Sequence, residues 1–572
     1  MQKQIILIAF LLLGALSLLA QNEPKKVTNT FALQKVTVVQ APGKVMTDAT
    51  VVVKDGLIHA VGKNVEIPFD AKIVKADSMI VYPGFISGAA HIGIPKVEKK
   101  EEGRRRYDPD VKDPGNPPND KAGIQPERQV RDLLKADDNA IEGMRKLGFT
   151  TAQTMPDGKM LPGQASIVLL AGASANDMIL MDNTALFFQF KGASGVAPAT
   201  VIGVMSKLRD LYKQAEQAKT HRATFVKNPS GMKRPTSDPI LEAFYPVIDG
   251  DKALMVKANT SRDISRAMAL QKDLGYNMIL TDVKQGWNYL DQMRGQQVLL
   301  SLDLPKAKES KSKKKEDEAQ EEEKSKSMAD KEMEALEMRR GESMKQYENQ
   351  AKMLAEKGVA FGFSTLDAKA KDIKANFKRM MDAGLTEDQM LAALTTTPAK
   401  MLGIDKVTGT VAEGKIANLV VTDAPYFEEQ SNVRYVFVDG QLFEYEAKAK
   451  KKKKKEGKEG DATEAPADVA GVWTYEMSVP GQELEGTLTI KKSDEELSVF
   501  MSDPSGSGEE EEIEDAVLEG DVMTFSMDVE QGGASMNIEF ELTFDGESYE
   551  GTMSVGSFGS FDVEGVRTSK PD

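Results

Sequence analysis

The chain has 572 residues, a formal net charge of −15, no cysteine and three histidines. These totals exclude disulfides, thiolate metal sites and cysteine-borne lipid anchors, and they make duplex nucleic acid a poor general partner. With His59, His91 and His221 the only imidazoles, a histidine-rich metal centre is not available either.

The first residues read "MQKQIILIAFLLLGALSLLAQNEPKK". Lys3 supplies a positive start, and residues 5–19 form an apolar run too short to span a bilayer comfortably. Residues 1–20 are read as a signal peptide cut after Ala20. The expected product is exported, periplasmic or envelope-associated, soluble after cleavage, and not an integral membrane protein. Residues 31–82 alternate apolar and polar side chains as short strands. Asp55 and Gly56 form a hairpin turn between "ATVVV" and "LIHAVG". His59 falls on the second strand of that hairpin as an ordinary half-exposed residue.

Residues 83–405 alternate apolar runs with helical periods. The runs are "FTTAQTM", "ALFFQF", "ALMVKAN", "NMILTD", "QVLLSLDL" and "VAFGFST". The helical stretches are 127–147, 198–218, 262–274, 329–357, 370–383 and 386–402. Repeated strand–helix units predict an α/β fold, with a parallel sheet closed as a TIM-like (β/α)8 barrel. Two charged runs interrupt the pattern. Residues 305–327, "PKAKESKSKKKEDEAQEEEKSKS", have almost nothing to bury and are read as a solvated insertion in the barrel. Residues 446–467 are a Lys/Glu-rich linker. From 468 to 572 short strands follow one another through Gly, Asp and Ser turns with scarcely a helical period. That stretch predicts a separate antiparallel β domain, a small barrel or sandwich.

Two segments carry a resemblance. "DGLIHAVGKNVEIPFDAKIVKADSMIVYPGFISGAAH" resembles the opening of the amidohydrolase superfamily, which ends in a Pro-Gly-Phe-Ile-Asp turn and a His-x-His pair. "TTTPAKMLGIDKVTGTVAEGKIANLVVTDAPYF", residues 395–427, looks like that superfamily's closing segment. Residues 147–170 are similar to the second-strand region of its imidazolonepropionase-like branch. The likeness covers about 31–445. It implies a barrel inserted in a composite β-sandwich made of 31–82 and 406–445, with metal ligands at the C-terminal ends of the barrel strands.

Those ligand positions are dismantled in this sequence. The first strand gives Ala89 and His91 in place of His-x-His, with Ser87 where an acidic residue usually precedes the pair. A middle strand gives Lys257 and Asn259 where a second His-x-His often stands. The next gives Asp282 in place of a histidine. The last strand should end in a metal-binding aspartate that serves as general base; Leu366 takes that place, with Asp367 one residue late. Alanine donates nothing, and a lysine cation repels a metal unless it is carbamylated or deprotonated. His91, Asp282 and Asp367 are the remaining metal candidates, and Asp367 is the one catalytic candidate. Asp367 also reads as a helix N-cap before "AKAKDIKANF". His221 is read as a surface residue.

Three functions remain open. The first is a catalytically degenerate amidohydrolase homologue with a binding or partner-subunit role. It would bind no cofactor, and would act as a homo-oligomer or beside an active homologous subunit. The second is a working hydrolase of carbon–nitrogen bonds, in peptide-like or cyclic amides, built on one divalent metal such as zinc. The third is an envelope interaction module acting through the C-terminal β domain.

Overall fold

A computed structural model describes residues 29–95, 111–305, 328–446 and 469–569, apart from 480–481, 494–495, 503–509, 514–515, 520, 532–533 and 556–558. The stretches read as a signal peptide, as a charged insertion beyond Pro305 and as a linker beyond Glu446 lie outside the described residues. The chain divides into two compact units at Lys450.

The first unit opens with β1 (Thr30–Ala41), β2 (Lys44–Lys54), β3 (Leu57–Gly62), β4 (Lys72–Val74) and β5 (Ile80–Pro83). Between β2 and β3, Asp55 and Gly56 both take positive φ, 51° and 81°. A two-residue hairpin needs that backbone to match the strand twist, and Asp-Gly tolerates it. His59 is exposed on β3. Gly84 then carries the chain into the barrel. A Cβ there would lie 2.1 Å from Thr150 Oγ1, so only glycine lets β5 pass this close to the second barrel strand.

The barrel strands are β6 (Phe85–Ala90), β7 (Phe149–Thr154), β8 (Gly163–Leu169), β9 (Ile179–Gln189), β10 (Ala253–Lys257), β11 (Met278–Val283), β12 (Gln297–Ser301) and β13 (Phe361–Ser364). They close in the order β10-β11-β12-β13-β6-β7-β8-β9. The expected closed barrel is present, but it is not a uniform (β/α)8. Strand β8 is antiparallel to both β7 and β9. The reason is connection length: the links 155–162 and 170–178 are too short for the dozen or more residues a parallel crossover needs. The sequence reading passed over β8 as a strand.

The helices differ in detail from the periods. The stretch 127–147 is a 3-10 turn, Val130–Asp132, and a separate helix, Asn139–Lys146, whose start is capped by the Asp138 carboxylate on Ala140 N–H. The stretch 198–218 runs on as Val201–Lys227, with His221 exposed upon it. The stretch 386–402 breaks at Thr395 into Glu387–Leu394 and Thr396–Met401.

After the barrel come β14 (Leu419–Thr422), β15 (Val433–Val438) and β16 (Gln441–Glu444). They join the opening strands in one eight-stranded sheet, order β16-β15-β14-β5-β1-β2-β3, with β4 beside β1. Leu419 stands opposite Pro83, and Val421 opposite Val81. Leu33, Val38, Val51, Leu419, Val421 and Phe437 share one buried cluster, so neither segment holds a core without the other. The sequence reading expected a sandwich from these two segments; the pairing describes a single sheet drawn from both.

The second unit holds β17 (Gly471–Val479), β18 (Gln482–Ser493), β19 (Glu496–Ser502), β20 (Glu510–Ile513), β21 (Val517–Glu519), β22 (Val522–Gln531), β23 (Ala534–Asp545), β24 (Ser548–Val555) and β25 (Gly559–Ser569). They make one nine-stranded sheet, order β20-β19-β18-β17-β25-β24-β23-β22-β21. Alternate residues such as Trp473, Tyr475 and Met477, or Phe540, Leu542 and Phe544, are buried in one core. Trp473 Nε1–H donates to the Val469 carbonyl at 2.9 Å, which satisfies its buried donor. Among the described residues, no helix is long and apolar enough to cross a membrane.

Candidate functional site

Strands β6, β10, β11, β12 and β13 run parallel, so their C-terminal ends open on one mouth. Side chains at parallel-strand ends can converge there without distorting the ladder behind them. His91, Lys257, Asn259, Asp282 and Asp367 all stand at those ends or just beyond.

Lys257 is the last residue of β10, and its side chain is 18% exposed. Its Nζ lies 2.7 Å from Asp367 Oδ1 and 3.9 Å from Asp282 Oδ2. Asn259 Nδ2 donates to Asp367 Oδ2 at 3.2 Å. Asp367 is not the cap of the following helix, as the sequence suggested. That helix is Ala370–Asp382 with Lys369 at its N-cap position, and the Asp367 carboxylate turns into the mouth. Two charged residues that the sequence reading did not single out complete the group. Lys284, just past β11, lies 3.6 Å from Asp367 Oδ2 and also pairs closely with Asp303, just past β12. Both obey the same strand-end rule that pointed to Asp282, and that rule was the signal available for them.

Asp282 is fully buried. It sits at a break in the β11–β12 register with φ of 57°, a left-handed conformation that is uncommon for a non-glycine residue and is found at functional sites. Ser364 Oγ donates to its Oδ1 at 2.8 Å. Burial, then repulsion from Asp367, push its pKa up to about 6, against the pull of Lys257 and Lys284. Asp367 moves the other way. Burial opposes its charge, but Lys257 and Lys284 and the hydrogen bonds from Lys257 and Asp282 hold it well below the usual carboxylate range. The two carboxyls thus titrate as a pair, Asp282 raised and Asp367 lowered, and the first negative charge settles on Asp367. Asp282 Oδ2 is buried with no hydrogen-bond partner among the described residues, 3.9 Å from Lys257 Nζ. Burial disfavours the Lys284 ammonium, but its hydrogen bond to Asp303 and the nearby carboxylates outweigh this and raise its pKa.

His91 Nδ1–H donates to the Met155 carbonyl at 2.8 Å, and its ring meets Phe187 edge to face. Burial lowers its pKa, so it is a neutral imidazole with Nε2 carrying the lone pair. Ala89 lies on β6. It is fully buried in an apolar cluster with Met155, Phe187, Met255 and Leu299, and Leu366 packs against the same cluster. Ser87 Oγ lies 2.9 Å from Thr365 Oγ1, and Thr365 N–H donates to the Ala89 carbonyl at 2.8 Å. Hydroxyl and backbone bonds therefore stitch the first strand to the last where the resemblance implies metal ligands.

Below about pH 6, where Asp282 holds its proton, the charges balance without an ion: Lys257 and Lys284 are offset by Asp303 and Asp367. A divalent cation does not fit this donor set. One imidazole faces the site, Asp367 is engaged by an ammonium on each oxygen, and Asp282 accepts from Ser364 on one oxygen and has the Lys257 ammonium 3.9 Å from the other. Among the described residues, no group of three His, Asp or Glu side chains is arranged to hold a metal ion.

Residues 279–443 match the model of the amidohydrolase family. No curated protein matches the chain. Among solved structures, an amidohydrolase from Thermotoga maritima MSB8 is 20% identical with a TM-score of 0.57, over 73% of this chain and 100% of that one. A prolidase complexed with N-methylphosphonate-L-proline is 16% identical with a TM-score of 0.40, over 73% and 100%. A further amidohydrolase is 15% identical with a TM-score of 0.42, over 73% and 99%. At 20% identity the likeness to the Thermotoga maritima protein is one of fold.

Proposed function

We propose that this chain belongs to the amidohydrolase superfamily, keeps the superfamily's barrel and serves as a non-hydrolytic binding or partner subunit. Its mouth is held by Lys257, Lys284, Asp282, Asp303 and Asp367. The observation that carries this reading is the Lys257 ammonium, 2.7 Å from Asp367 Oδ1 and 3.9 Å from Asp282 Oδ2. Metal-assisted hydrolysis needs an open coordination position where water is acidified. A lysine between the two carboxylates holds the strand ends together and supplies no such position. The subunit would bind through the loops around the mouth, alone as an oligomer or beside a homologue that retains its ligands.

The test is metal content and activity on the same preparation. After loading with zinc and dialysis, the purified protein should retain far less than one ion per chain. Amide substrates should not be turned over in a zinc-dependent way. A stoichiometric ion that survives dialysis, together with amide hydrolysis lost in His91→Ala, would establish the working single-metal hydrolase instead.

Export forms part of the same proposal, on the charge and length of the first 20 residues. Terminal sequencing of the protein from its native cells should begin at Gln21. An intact Met1 would place the chain inside the cell.

A further inference from the structure

The barrel carries a cavity at the end away from its mouth. Ala253, Met278 and Gln297, the first residues of the parallel strands β10, β11 and β12, border it. Met401 and Leu402, at the end of the helix Thr396–Met401, close one side. Its volume is about 420 Å³, within the range of small-molecule sites. Its wall is unusually polar. Gln153, Gln271, Gln296, Gln297 and Asn277 bring side-chain amides to it, and Lys252 brings an ammonium. Gln271 and Gln296 exchange hydrogen bonds through both amides, each at 3.2 Å, so that part of the wall is held in place.

Two groups on this wall are left incomplete. Gln153, on β7, is only 2% exposed. Its Nε2–H donates to Thr184 Oγ1 at 2.8 Å, and that hydroxyl donates onward to the Ala165 carbonyl at 3.1 Å. The hydroxyl's one proton is spent, so the amide must turn its N–H to Thr184 and keep its carbonyl end free. Gln153 Oε1 is buried with no hydrogen-bond partner among the described residues. An acceptor left so costs the empty fold stability, and a donor from outside the chain must satisfy it. Lys252 is the second group. It is half-buried, and burial pushes its pKa down against the pull of Asp182. The Asp182 carboxylate is already engaged by Arg131 at 2.8 Å and Ser166 at 2.7 Å. Asp251 also borders the cavity but is exposed, and among the described residues no carboxylate forms an ion pair with Lys252. Its ammonium donates to Gln164 Oε1 at 3.2 Å, which leaves two N–H groups to give.

We propose that this cavity binds a small hydrophilic carboxylate that also carries hydroxyl or amide N–H groups. The ligand's carboxylate pairs with Lys252, and one of its donors satisfies Gln153 Oε1. Side-chain amides both donate and accept, so the rest of the wall suits a molecule dense in such groups. A sugar acid and a short peptide share this chemistry. The site is separate from the mouth, and it stands whether or not the mouth holds a metal.

Calorimetric titration of the full-length protein with D-glucuronate and with glycyl-glutamine tells the two sources apart. One of them should bind saturably, one per chain, at about millimolar concentration. D-Glucose lacks the charge and acetate lacks the donors, so each should bind at least about tenfold more weakly. Lys252→Gln should weaken the bound probe by about tenfold or more, and Lys252→Arg, which keeps the cation, should restore most of the loss. Gln153→Met, similar in volume but without the acceptor, should weaken it several-fold. Acetylation of amines gives a readout on the unmodified chain. Saturating probe should slow modification of Lys252 several-fold and leave the exposed Lys63 unchanged. No saturable heat from either probe would leave the cavity to water. Binding left unchanged by Lys252→Gln or by Gln153→Met would place the probe elsewhere. Either result overturns the proposal.

Discussion

Replacing Lys257 by methionine is expected to cost the first unit about 2–4 kcal/mol of stability, because it strands the Asp367 carboxylate beside a buried acid. The aliphatic stem is kept, so little packing is lost and the change isolates the ammonium. The estimate lies below that for a fully buried pair because Asp367 is 34% exposed. The check is the urea midpoint of the single variant, of Asp367→Asn, and of the two combined. Coupling should be strong, with Lys257→Met costing far less once Asp367 is neutral. A single-variant loss under about 1 kcal/mol would make the contact an ordinary surface ion pair. It would also leave the mouth free to hold something else.

The second large effect is a pH dependence that Asp282→Asn should erase. An aspartate whose folded pKa is about 6, against 3.8 unfolded, binds its proton more tightly when folded. Its contribution is fully present below the unfolded value and is lost as pH rises from about 4 to about 6, up to about 3 kcal/mol. Asp367 has the opposite sign. Its depressed pKa stabilises the fold above the unfolded value and loses that contribution as pH falls below it. The mouth is therefore best satisfied near pH 4–5, unusually low for a globular protein. Asparagine at 282 reproduces the neutral acid: its carbonyl accepts from Ser364, and its amide donates toward Asp367. At pH 8 the variant should exceed wild type by about 1–3 kcal/mol, and at pH 4 the two should melt alike. A variant less stable than wild type at pH 8 would mean that the surroundings of Asp282 stabilise its ionised form rather than penalise it.

The sequence made the barrel visible because buried parallel strands read as continuous apolar runs, and six such runs coincide with β7 and β9–β13. It hid β8, since "GQASIVL" opens on small and polar residues and its antiparallel direction follows from loop length. It marked the mouth by the residue types that fail as ligands, Ala89 and Lys257. It could not show that Asp367 turns inward, because the same letters spell a helix cap. Nor did it reveal Lys284 and Asp303, whose partners come from other strands: an ion-pair network closes through space and leaves no local pattern.

Synthesis order gives the eight-stranded sheet of the first unit a further meaning. Tyr82 on β5 pairs with Val420 on β14, roughly 340 residues later in the chain. At about 5–20 residues per second the ribosome takes about 20–70 s to deliver that partner. Throughout that interval the edge of β5 carries unpaired N–H and C=O groups beside apolar Val81 and Tyr82, the condition under which nascent strands find wrong neighbours. A barrel built between the two halves of one sheet thus makes the last-made strands the closing step of the first-made ones. A chain released before β14 would carry a complete set of barrel strands and an open template beside them.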